Sequence, residues 1–121
     1  MAERFESGAL LGHVYTLRGG LPVRLRLARS SDAPAVRALL ERQGRTGDLE
    51  PARLVHFDPR RRYVLCATGL VDKTEVLLGV GAISLDGARE PDLLVVDAER
   101  RAEVTELLRG ALVACARARA A

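Results

Sequence analysis

LRGGLPVRLRLARSSDAPAVRALLERQG, residues 17 to 44, decides how the rest of the chain is read. Within it, Val23-Arg24-Leu25-Arg26-Leu27 alternates apolar and basic side chains, the period-two signature of a strand with one face in a core. Arg18-Gly19-Gly20 is a turn that joins this strand to an earlier one over His13 to Leu17, so the two make a hairpin. Ser30-Ser31-Asp32 then starts a helix, with Pro34 in the first turn, where its missing N–H costs little. The apolar period changes there from two to 3.6. Ala33, Val36, Leu39 and Leu40 fall on one face, and Arg37, Glu41 and Arg42 on the other. Gly44 and Gly47 end the helix and open a loop.

Further along, Asp48 caps a short helix over Leu49 to Phe57, which Pro59 stops. Arg62 to Thr68 and Thr74 to Leu85 read as two strands of an antiparallel hairpin, with Gly69 and Asp72-Lys73 between them. Gly79 and Gly81 interrupt the second strand, which predicts a bulge or the close approach of another backbone. After the Asp86-Gly87 turn, Asp92 to Val96 is a short buried strand. The last segment is the most regular: Val104, Leu107, Leu108, Ala111, Leu112 and Cys115 repeat with helical spacing. Asp97 can cap that helix, Glu99 suits its positive end, and Arg117 and Arg119 suit its negative end. The order β-β-α-α-β-β-β-α predicts an α/β (α+β) fold, a mostly antiparallel sheet with helices on both faces. Residues 1 to 8 carry no periodicity and are expected to fray, leaving residues 9 to 121 as a single domain.

Composition bounds the function. With 48% hydrophobic and 29% charged residues, the chain has the material for one globular core. Aromatics are 3% with no Trp, which argues against base-stacking platforms and aromatic cages. The net charge is a modest +3, and the one basic run is Arg60-Arg61-Arg62, either a solvated start to a strand or a phosphate-binding patch. Nucleic-acid binding normally needs a larger, clustered basic excess, so none is expected. Cys66 and Cys115 sit among apolar neighbours and read as small hydrophobes. The longest apolar stretch, Val76 to Leu85, is too short to cross a bilayer, and the opening MAERFES has no apolar signal core. A cytoplasmic protein without membrane attachment is the expectation. His13 and His56 are far apart with no Cys or His at ligand spacing, so no metal site is expected. A Cys66–His56 nucleophile pair is allowed by composition alone. Gly79-x-Gly81 lies inside a strand, so it is no dinucleotide fingerprint, and no P-loop or Gly-x-Ser-x-Gly elbow occurs.

The opening stretch, with the hairpin RRYVLCAT…TEVLLGVGAISL, the strand PDLLVV and the long helix, resembles the GNAT family of N-acetyltransferases over residues 15 to 116. The resemblance implies that fold without its C-terminal part, because the family continues with another strand, a helix and a closing hairpin. It also implies an acetyl-CoA site at the turn into the last helix, where backbone N–H groups grip the pyrophosphate. Val96, Arg100, Arg101, Ala102 and Val104 are the cofactor-binding candidates by position, with Arg101 as the leading basic residue. Glu90 or Asp92 would stand as the general base. The segment departs from the family pattern by having no Gly and by placing Asp97, Glu99 and Glu103 in the first turns. A carboxylate there occupies donors that a pyrophosphate needs.

Two functions follow. The first is a small N-acyltransferase moving an acetyl group from acetyl-CoA to an amine. The second is a non-catalytic binding or assembly module that keeps the fold and has lost acetyl-CoA binding. A homodimer is expected in either case, because Leu93 to Val96 carries neither charge nor Pro to blunt a sheet edge. The apolar stripe of the last helix is expected to lie partly uncovered and to add to the interface.

Overall fold

Val64, Leu65, Cys66 and Ala67 are consecutive, and every one is fully buried. Successive strand residues point to opposite faces, so four buried in a row require cover on both sides of the sheet. The computed structural model, which describes residues 14–45, 50–87 and 89–120, shows where that cover comes from. Five strands lie across one antiparallel sheet in chain order: β1 (Val14–Thr16), β2 (Pro22–Leu27), β3 (Arg62–Val71), β4 (Thr74–Ser84) and β5 (Leu93–Val96). Helices α1 (Ala33–Arg42) and α2 (Pro51–Val55) occupy one face, and α3 (Arg101–Ala120) the other. Single 3-10 turns, Ser30–Asp32 and Ala98–Arg100, lead into α1 and α3. The described residues thus form an α+β fold with an antiparallel sheet between helices. The expected frayed segment over residues 1 to 8, the cap at Asp48 and the start of the first strand at His13 lie outside the described residues.

Each helix is held by the stripe its spacing predicts. Val36, Leu39 and Leu40 of α1, with Leu54 and Val55 of α2, pack on Val64, Cys66, Val80 and Ala82. On the other face Val104, Leu108, Ala111 and Leu112 pack on Leu25, Leu65, Ala67 and Leu78. The stripe of α3 is uncovered only in part, at Leu107, which is half-buried. Val104, Leu108 and Leu112 are wholly buried, and Ala111 and Cys115 nearly so, because residues of β2, β3, β4 and β5 lie under the helix.

The two strand glycines explain how α3 seats so closely. A Cβ on Gly79 would come 2.9 Å from Leu108 Cδ1, and one on Gly81 would come 2.8 Å from Leu112 Cδ1. Both distances are shorter than carbon atoms tolerate, so the helix rests on bare backbone. The bulge is there as well: Ala67 pairs with Gly79 and Thr68 with Leu77, leaving Leu78 as the extra residue of β4. Leu78 thereby points to the same face as Gly79, toward α3.

β3 runs three residues past Thr68, where its sequence pattern loses alternation. The reason is the turn. Asp72 and Lys73 both adopt positive φ, 51° and 65°, the two-residue geometry whose twist matches antiparallel strands, so the ladder continues to Val71 opposite Thr74.

Candidate functional site

The turn from β5 into α3 is where the resemblance placed a cofactor. Asp97 N–H donates to Leu78 O at 2.8 Å, extending the β4–β5 ladder one residue beyond Val96. Its side chain then turns onto the helix start: Oδ1 accepts the Glu99 N–H at 3.2 Å, while its carbonyl accepts the Arg100 N–H at 3.2 Å. This is a capping arrangement made by the chain's own carboxylate. A second carboxylate, Glu103, accepts the Arg18 N–H at 2.9 Å, tying the β1–β2 turn to the first turn of α3. Arg101 donates to Gln43 Oε1 at 3.1 Å at the end of α1, and Arg100 lies 3.4 Å from Glu99.

The cofactor candidates divide by burial. Arg101 and Ala102 are exposed and Arg100 is half-buried, whereas Val96 and Val104 turn their side chains into the core under α3. The residues proposed as bases sit elsewhere. Glu90 makes a two-pronged ion pair with Arg109 in the middle of α3, both contacts at 2.9 Å. Asp92 pairs with Arg62 at the start of β3 at 2.8 Å. Both carboxylates are exposed and each already faces a guanidinium.

One polar cluster is absent from the sequence reading. Arg26 donates to both oxygens of Asp32 at 2.8 Å, and Asp32 also accepts the Arg29 N–H at 2.7 Å. Only 16% of the Arg26 side chain and 9% of the Asp32 side chain remain exposed. The Arg26 guanidinium, with the Arg29 N–H, holds the Asp32 carboxyl below the usual carboxylate range, although burial pulls the other way. Cys66 Sγ lies 3.8 Å from Asp32 Oδ2. Burial, with the Asp32 charge added, pushes the Cys66 thiol up to about 12. A thiol held protonated makes a poor nucleophile, and His56 is exposed on the surface. The alternation in β2 carried a signal for this cluster. It places Arg24 and Arg26 on the face opposite Val23 and Leu25; Arg24 stays exposed there, whereas Arg26 is drawn in by Asp32.

No group of three or more His, Cys, Asp or Glu side chains arranged to hold a metal occurs among the described residues. No helix among them is long and apolar enough to cross a membrane. Comparisons with protein-family models, with curated proteins and with solved structures gave no match.

Proposed function

We propose that this chain is a GNAT-like, non-catalytic binding and assembly module of the reducing cytoplasm that pairs with a second copy of itself. The observation that carries the reading is the Asp97 carboxylate capping the 3-10 turn that leads into α3. That position is where a GNAT-type turn would offer N–H groups to the pyrophosphate of acetyl-CoA. Two like charges ~4 Å apart repel by roughly 4 kcal/mol at an effective dielectric of 20, so the Asp97 and Glu103 carboxylates oppose a pyrophosphate there. Arg100 and Arg101 offset part of this, but both side chains already have contacts of their own. Acetyl transfer to an amine, with Glu90 or Asp92 as base, would in addition need a carboxylate released from its arginine partner.

The assembly half of the proposal rests on β5. The Asp97–Leu78 hydrogen bond sets the alternation of the ladder, so the N–H and C=O groups of Leu94 and Val96 face away from β4. Two copies related by a two-fold axis through Val95 would exchange four hydrogen bonds between those groups.

Calorimetry with acetyl-CoA and with CoA tests the first half. No heat at millimolar ligand is expected. Micromolar binding that Arg101→Ala weakens would overturn the proposal and restore the acetyltransferase reading.

A further inference from the structure

We infer that the groove between α1, α2 and the start of β3 binds a small organic phosphate, independently of what the α3 turn does. The groove encloses about 780 Å³, within the range of small-molecule sites. Arg37 reaches it from α1, Arg53 from α2, and Arg61 from the residue before β3, so guanidinium groups from three separate pieces of chain line one concavity.

The local charge balance decides what the groove attracts. Arg60 is turned onto Asp58 at 3.4 Å, and the Arg60 N–H, with the Arg60 and Arg61 charges, holds the Asp58 carboxyl below its usual value. Arg62 is taken by Asp92. What remains among the described lining residues is Arg37, Arg53 and Arg61, none of which forms an ion pair with another described residue, and Glu50 as the one described carboxylate there outside a pair. A guanidinium presents a rigid fork of donors that matches phosphate oxygens two at a time. An anion carrying two or more charges has oxygens enough to accept from more than one of the three.

The apolar half of the wall gives the ligand its second feature. Phe57 is half-buried and Leu54 buried, both against the α1–α2 core, and both line the groove. An apolar or flat body attached to the phosphate can lie on that wall, which a free phosphate ion cannot use. A nucleic-acid surface fits less well, because the unpaired arginines converge in one concavity and do not run along a face.

Equilibrium dialysis at low ionic strength with inorganic phosphate, pyrophosphate and ADP separates the sources. Pyrophosphate is expected to bind more tightly than phosphate, and ADP more tightly than pyrophosphate. Arg53→Gln and Arg61→Gln should each weaken ADP at least about tenfold, the loss of one charge-assisted pair at about 1.4 kcal/mol per decade. Phe57→Ala should weaken ADP while leaving pyrophosphate unchanged. Arg117→Gln removes the same charge from an exposed position on α3, across the sheet, and should change binding less than twofold. Equal losses in the Arg117 and Arg61 variants would reduce the effect to net charge and overturn the inference. So would the absence of binding by all three probes at about 10 mM, the concentration of a site too weak to matter. A short duplex DNA that outcompetes ADP would overturn it in favour of a polymer surface.

Discussion

Asp32→Asn should cost the fold about 3 kcal/mol, a figure worked from the contacts of the carboxylate. Its two oxygens accept three hydrogen bonds, two from Arg26 and one from the Arg29 N–H. With 16% and 9% of the two side chains exposed, solvent screens the pair little. Breaking one member of a buried pair costs about 3–5 kcal/mol, because the other charge is left uncompensated. Two features move the value to the low end. Asn retains one accepting oxygen, and Glu75, 3.5 Å from Arg26 and 55% exposed, can take over part of the charge balance. With a urea slope of about 1.5 kcal/mol per M, the midpoint should fall by about 2 M at pH 7. The pH dependence has a definite sign. The Asp32 carboxyl is held low in the folded chain and regains its ordinary value when unfolded. Its stabilisation is therefore complete above the ordinary carboxylate range and disappears as pH falls through the folded value. The Asn variant lacks this component, so the gap between the two proteins should close on acidification. Arg26→Met with Asp32→Leu should recover much of the loss, since it removes both charges and also the buried Arg26 Nε, which has no partner among the described residues. A loss below about 1 kcal/mol at pH 7, or a gap that persists at low pH, would refute the reasoning.

Gly79→Ala should destabilise by about 1 kcal/mol in urea titration. Overpacking against Leu108, Val104 and the Val95 carbonyl costs about 1–3 kcal/mol, and the reduced freedom of the unfolded chain returns about 0.5–1. Gly110→Ala is the contrast, on α3 itself: its Cβ would meet nothing within 4 Å, so a gain of up to about 1 kcal/mol is expected. A more stable Gly79 variant would contradict the close seat of α3. For the proposed dimer, four exchanged hydrogen bonds at about 1 kcal/mol each correspond to a dissociation constant near 1 mM, tightened by whatever the half-buried Leu94 contributes. Sedimentation from micromolar to millimolar protein should therefore show a concentration-dependent dimer. Leu94→Pro, which removes an outward N–H from an edge strand, should abolish it with an unchanged circular dichroism spectrum. A monomer throughout that range would refute edge pairing.

Much of the architecture was legible because its causes are local. The alternation around Val23 and Leu25, the switch to helical spacing at Ala33, and the stripe from Val104 to Cys115 each state which face a segment must bury. Those patterns imply an antiparallel sheet with helices on both sides without reference to any distant residue. Gly79 and Gly81 announced a departure from regular strand, and the bulge beside them and the seat of α3 both follow from their missing side chains.

What depended on tertiary structure was which partner each charged side chain meets. Arg26 and Asp32 read as a strand residue and a helix start; only the cover of α1 and α2 over that face turns them into a buried ion pair. Glu90 and Asp92 read as carboxylates available to chemistry, yet Arg109 and Arg62 arrive from elsewhere in the chain to hold them. The run Arg60-Arg61-Arg62 is uniform in sequence. Folding separates it into two paired arginines and a third, Arg61, that lines the same groove as Arg37 and Arg53. Periodicity states which way a side chain faces. Which charge it meets there depends on the packing of segments far apart in the chain, and no local pattern encodes that distance.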